Sequence, residues 1–141
     1  MSQQMERTYS RYEPKMEDIR PLSVLKLALV YVTTRAHAKL HEDSKLASMK
    51  YLNDQLKGIR QDLRVQNIVN NFTVQVYEQH ARLALKMGEL GEFNQCQASL
   101  RQFYINKNVD LRKCHVSEFF HYRLFYLYLS KQNDALSTEL I

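Results

Sequence analysis

Glycine and proline are nearly missing: the 141 residues hold three of one and two of the other. Average usage is about 7% and 5%. A β-sandwich, a barrel or a Gly-rich nucleotide-binding α/β domain needs more turn residues, so the scarcity points away from all three. Long hydrophobic runs are missing too. The longest, Leu27 to Val32 and Leu124 to Leu129, have six residues each, against the roughly 18 or more of a transmembrane helix. The start, MSQQMERTYSRYE, has no apolar core of the kind a signal peptide needs. The two cysteines, Cys96 and Cys114, make neither a C-x-x-C nor a disulfide framework, which fits a reduced intracellular setting. No membrane partner is expected.

Motifs that carry chemistry are absent as well. Neither phosphate-cradling Gly-rich pattern occurs, and neither G-x-S-x-G nor H-E-x-x-H is present. His37 and His41 have metal-ligand spacing but no clear third ligand beyond Glu42, and a solvated helix end accounts for them. His80 falls on an apolar stripe, as a hydrogen-bonded core histidine would. Cys96 reads as a small buried hydrophobe. The expectation is a protein that is not an enzyme, with no cofactor, no metal and no small-molecule substrate.

What is present is a globular composition, 45% apolar and 25% charged, written in helical periods. Residues 1 to 20 lack a sustained stripe and read as a partly disordered extension or docking arm. Pro21 opens a helix to about Ala38, with Leu22, Leu25, Leu29, Val32 and Ala36 on one side. A second helix, capped by Asp43 or Ser44, runs to about Val65 with Met49, Leu52, Leu56, Ile59 and Leu63 inward. Gly58 interrupts it at a cost of about 1 kcal/mol relative to Ala, which a neighbour's close approach or a local bend would explain. A third helix spans about Asn67 to Met87, with Ile68, Phe72, Val76, His80, Leu83 and Met87 in step. After Gly88 and Gly91 a fourth runs from about Glu92 to Ile105. The segment ARLALKMGELGEFNQCQASL is a helix, a short turn and a helix, the unit of an αα-hairpin. A loop follows, and then Ser117 caps FFHYRLFYLYL, apolar almost all round; the run LFYLYL alone would also suit a strand. Asn133 or Asp134 caps a last element, ALSTELI. The fold class expected is all-α, an α-solenoid of degenerate TPR-like helical hairpins.

The charge is net +5, from 20 basic and 15 acidic residues, and a basic balance suits a polyanionic partner. The excess sits in residues 1–64, where 12 basic residues meet 8 acidic ones. Lys50, Lys57 and Arg64 fall seven apart on the second helix, with Arg60 a turn from the later two. Spaced about 10 Å apart along the axis, such cations suit a phosphodiester backbone; a solvated face with weak ion pairs is the other reading. Asp54 and Asp62 dilute the field. Most Tyr and Phe lie at core spacing, so base stacking by them is not indicated.

QLKGIRQDLRVQNIVNNFTVQVYEQHARLAL at 55–85, followed by GEFNQCQASL at 91–100, resembles the central stretch of the GANP-type (SAC/GANP/Thp) family. RPLSVLKLAL at 20–29 resembles the family's first helix, and EFFHYRLFYLYL followed by LSTEL resembles later ones. The wording FTVQVYEQHARLAL and EFNQCQ points to the Thp/leukocyte-receptor-cluster branch. The resemblance covers roughly residues 20–141. It implies the helical half of a PCI-like module, placed at 21–141 after the extension at 1–20, and a nuclear scaffold, with the cytoplasm as a second location. It also implies pairing with a PCI-domain protein and a small acidic subunit, contact with RNA or single-stranded nucleic acid, and work in transcription-coupled mRNA processing or export.

Lys57 and Arg60 are carried over from the matching stretch as nucleic-acid contacts; Lys50 and Arg64 come from the helical stripe. Phe119, Tyr122, Phe125 and Tyr126 are the expected partner-binding residues. Gly58 and Arg64 stand where the family pattern is expected to carry a small polar residue and a threonine. The chain stops before a winged helix, so a truncated or reduced family member is expected. The alternative function is a purely protein–protein helical adaptor, related to PCI subunits of proteasome-lid or translation-initiation assemblies.

Overall fold

A computed structural model describes residues 1–129. Five helices follow one another, α1 (Leu22–Glu42), α2 (Lys45–Val65), α3 (Asn71–Met87), α4 (Leu90–Tyr104) and α5 (Val116–Leu129). Single 3-10 turns lie at Met16–Asp18 and Leu111–Lys113. No strand occurs among the described residues, and LFYLYL is helical to Leu129. The proposed element ALSTELI lies outside the described residues.

Each helix packs on the next, which is the contact order of stacked hairpins. The helix at the centre is α3, because both of its faces are apolar. Val76 and Leu83 join Leu25, Leu29 and Val32 of α1 and Leu56, Ile59 and Leu63 of α2 in one core. Val74, Tyr77, Ala81 and Ala84 point the other way, onto Phe93, Cys96 and Leu100 of α4 and Phe119 of α5. Ala81 and Ala84, both fully buried, leave room for α4 to pack closely on α3.

Local chemistry sets the boundaries, and it moves several of them. Pro21 is the N-cap of α1 rather than its first residue, and α1 runs one turn past Ala38, so His41 joins His37 within the helix. Their rings meet edge to face, with centroids 5.0 Å apart, on an exposed surface. Of the two caps offered for α2 it is Ser44 whose side chain accepts from the Ala47 N–H, at 3.0 Å. Asn67 ends α2 instead of opening α3, since its φ of 54° is left-handed, a conformation Asn tolerates. Its N–H donates back to the Arg64 carbonyl. The α3 helix therefore starts four residues later, where Asn70 and Thr73 form a reciprocal capping box.

Between α3 and α4 only Gly88 has the positive φ, 72°, that terminates a helix in the left-handed region. Gly91 is already inside α4. The last described helix begins at Val116, just ahead of the expected Ser117 cap.

Residues 1–20 dock on this chain's own α2. The Arg7 N–H donates to Gln55 Oε1 at 3.0 Å, and the Ser10 N–H to Gln61 Oε1 at 2.9 Å. Gln61 Nε2 returns a bond to the Ser10 carbonyl, also at 2.9 Å. The helix has no side chain at Gly58 because the arm's backbone crosses there. A Cβ would stand 2.1 Å from the Arg7 carbonyl oxygen. Of the two explanations open for this glycine, close approach is the one the structure takes.

Candidate nucleic-acid interface

The arm reaches α2 through a buried charge cluster. Asp62 is fully buried and accepts from two arginines, Arg20 Nε at 2.7 Å and an Arg7 terminal nitrogen at 2.6 Å. Arg20 is itself wholly buried, donates also to the Met5 carbonyl, and has a second terminal nitrogen with no partner among the described residues. Burial pushes the Arg20 pKa below its ordinary value, against the pull of Asp62. Asp62 therefore does not dilute the surface field, because its charge is spent inside.

Next to this cluster, α2 and α4 bound a cleft of about 320 Å³. Lys57, Arg60 and Arg64 form the α2 wall, and Glu92, Gln95 and Ser99 the α4 wall. Tyr77 of α3 lies between them, and Tyr9 of the arm lines the cleft as well. The spacing of 57, 60 and 64 puts all three cations on one side of α2, as helical geometry requires. They are nevertheless not equivalent.

Arg64 is exposed and Lys57 half-buried, while the Arg60 side chain is 11% exposed. Arg60 pairs with Glu92, donates to His80 Nδ1 at 3.0 Å, and lies over the Tyr77 ring at 4.8 Å. Its Nε is buried without a partner among the described residues. Lys50 is exposed near the start of α2 and is not part of the cleft. The four expected nucleic-acid residues thus resolve into two open cations at the cleft, one cation held inward, and one apart. Periodicity placed Arg60 on the right side of α2. It could not show that α3 and α4 carry Tyr77, His80 and Glu92 beneath it.

His80 is fully buried and neutral. The Arg60 donor fixes Nδ1 as the acceptor, so Nε2–H donates to Asn53 Oδ1 at 2.8 Å. Burial, with the charges of Arg60 and Lys57, lowers its pKa to about 3. Glu92 Oε1 is 3.6 Å from Nε2, an ion pair only for the protonated ring, which the Arg60 contact opposes. With Cys96, whose thiol burial pushes up to about 11, His80 and Glu92 put three donor atoms within 4.8 Å of one another. The guanidinium of Arg60 is the cation beside that group, and it already takes one lone pair each from His80 and Glu92.

The neutral His80 predicts acid lability. Its pKa is depressed in the fold, so the unfolded chain, with an ordinary value near 6.5, binds the proton more tightly. The stability it allows is full above about pH 6.5 and declines as pH falls towards about 3. Urea unfolding at pH 7 and pH 5 should differ by about 2 kcal/mol from this group. His80→Gln, which can still donate to Asn53, should flatten that slope; an unchanged slope would assign it elsewhere.

The expected partner residues divide as well. Phe119 is 1% exposed and sits in the α3–α4 core, so the folded surface does not offer it. Tyr122 and Tyr126 are half-buried and pack on Phe93 from α5, and the Tyr122 hydroxyl donates to Glu118 at 2.8 Å. Phe125 faces outward at 61% exposure, with Phe120 and Tyr128 also exposed. An all-round apolar helix hid this division, since every face scores alike.

Stacked helical hairpins with a cation-walled groove across them define the described residues as an all-helical, hairpin-repeat protein. The sequence matches the profile of the SAC3/GANP family over residues 2–139. The chain belongs to that family. It is 39% identical over 137 residues to protein THP3 of Saccharomyces cerevisiae, covering 96% of this chain and 27% of that protein. It is 42% identical over 127 residues to a leukocyte receptor cluster member 8 homologue of Xenopus laevis, covering 90% and 14%. A THP3 homologue of Schizosaccharomyces pombe is 38% identical over 141 residues, covering 99% and 33%. These relatives are of the Thp/leukocyte-receptor-cluster branch, and the chain spans a third of their length or less.

Proposed function

We propose that this chain is a non-catalytic scaffold of nuclear mRNA processing or export that holds RNA along the cleft between α2 and α4. The observation that carries the reading is the α2 wall, where Lys57 and Arg64 stand open beside Arg60 with Glu92 the acid facing them. Family membership supports the scaffold role. Opposite charge along a groove gives sequence-tolerant binding that weakens with salt.

The test is confined to the two open cations. Arg60→Glu would break the Glu92 and His80 contacts and confuse binding with folding. Lys57→Glu with Arg64→Glu should leave the circular dichroism spectrum intact and weaken RNA binding roughly tenfold or more. The plot of log affinity against log salt should become shallower by about 1.4, for two phosphate contacts on a single strand. RNA affinity that is absent at low salt, or untouched by the double variant, would sink the proposal.

The same scaffold pairs with a PCI-domain protein and a small acidic subunit through the outer face of α5, where Phe120, Phe125 and Tyr128 are exposed together. Phe125→Glu should abolish co-purification of such a pair from cells while changing stability by less than about 0.5 kcal/mol, as surface substitutions do. Retention of both subunits would move the interface off α5.

A further inference from the structure

The α2–α4 cleft does not end at Arg64. A second cavity of about 360 Å³ lies between α2 and the arm, lined in part by Arg11 and Tyr12. The two cavities share Tyr9, Gln61 and Arg64, so they are lobes of one trough. Their volumes are at the lower end for small-ligand sites, about 300 Å³ upward.

Two aromatic rings stand open along this trough, Tyr9 at 52% exposure and Tyr12 at 80%. Both belong to the arm and neither serves a helix core. Tyr9 is also held in place. The next residue, Ser10, is pinned by both amide bonds to Gln61, and Arg7 two residues before is tied to Asp62. A ring on a fixed backbone loses less freedom on binding than one on a free terminus.

We infer that the trough is a site for single-stranded RNA, with a base stacked on Tyr9 and its flanking phosphates on Lys57 and Arg64. The inference rests on the proposal above that this face holds RNA, and adds the form of the nucleic acid and the part played by the arm. Base faces stack on aromatic rings without regard to sequence, and cations beside them track the backbone. The opposite wall offers Gln95 and Ser99, whose amide and hydroxyl can pair with a base edge. A duplex keeps its bases in its own stack and has none to give Tyr9.

Fluorescence anisotropy with a short labelled RNA, single-stranded and as the matching duplex, tests this on the whole chain. The single strand should bind at least fivefold more tightly. Tyr9→Ala should weaken it about five- to a hundredfold, the range for loss of one stacked base, and Tyr9→Phe should restore it. The exposed ring makes no core contact, and the melting temperature of each variant checks the fold. Equal affinity for duplex and single strand, or Tyr9→Ala binding like wild type while the Lys57, Arg64 double variant fails, would overturn the inference and leave the RNA reading intact. No RNA binding in any form would remove both. Polyglutamate competing as well as the RNA would assign the trough to acidic peptide and overturn it too.

Discussion

Replacing Asp62 with alanine is expected to cost about 3–5 kcal/mol, the penalty for removing one partner from a buried ion pair. Two arginines depend on this carboxylate, and one of them, Arg20, has no access to water. Without Asp62 the charge of Arg20 stays buried, on a guanidinium whose other terminal nitrogen already lacks a partner among the described residues. The wild-type cluster is no great source of net stability, since desolvating three charges offsets most of their attraction. What it specifies is position: only with the arm docked can Arg7 and Arg20 meet one carboxylate. Thermal unfolding should register a drop of about 10 °C or more for a chain of this size. Replacing the fully buried pair with apolar residues, Arg20→Met with Asp62→Leu, should recover part of the loss by removing the Arg20 charge, while Arg7, at the edge of the cluster, still lacks its carboxylate. A loss under about 1 kcal/mol for Asp62→Ala would show that the cluster does not hold the arm.

Helices in this protein were legible because burial of one face leaves a period of 3.6, and every stripe from Leu25 to Leu83 shows it. Starts and stops were less so. Asn67 and Asn70 have the same side chain, and only the turn between them decides that one ends α2 and the other caps α3. The arm was illegible for a different reason. Its bonds to Gln55, Gln61 and Asp62 join residues about fifty positions apart, and nothing periodic in residues 1–20 signals them. Gly58 was the one visible trace, an apparent fault in a good helix.

The candidate site follows the same division. Spacing put Lys57, Arg60 and Arg64 together, but the depth of Arg60 is set by Tyr77, His80 and Glu92 on other helices. Tyr9 and Tyr12 lie outside every helix, where helical spacing carries no signal about an aromatic residue. On α5 the difficulty was an excess of signal. With apolar residues all round, sequence could not separate the core residue Phe119 from the outward Phe125.

Gly58→Ala is expected to destabilise the protein even though it removes a poor helix former. On propensity alone the change should gain about 1 kcal/mol. Against it stands a new Cβ at 2.1 Å from the Arg7 carbonyl oxygen, with the carbonyl carbon at 3.1 Å. Both are backbone atoms and cannot rotate aside. The arm must lift, and with it go the Arg7 bonds to Asp62, Gln61 and the Gly58 carbonyl. Lifting Arg7 leaves the buried Asp62 and Gln61 short of a donor, and an unsatisfied buried polar group costs about 1–3 kcal/mol, which outweighs the helical gain. A net loss of about 2 kcal/mol follows, read by urea unfolding. Hydrogen exchange should become faster at the Arg7 and Ser10 amides while the α3 core stays protected. Because Tyr9 rides on this segment, the same variant should bind single-stranded RNA like Tyr9→Ala, with Lys57 and Arg64 untouched. A more stable Gly58→Ala protein would place propensity above the arm, and the trough would lose its aromatic wall as a built feature.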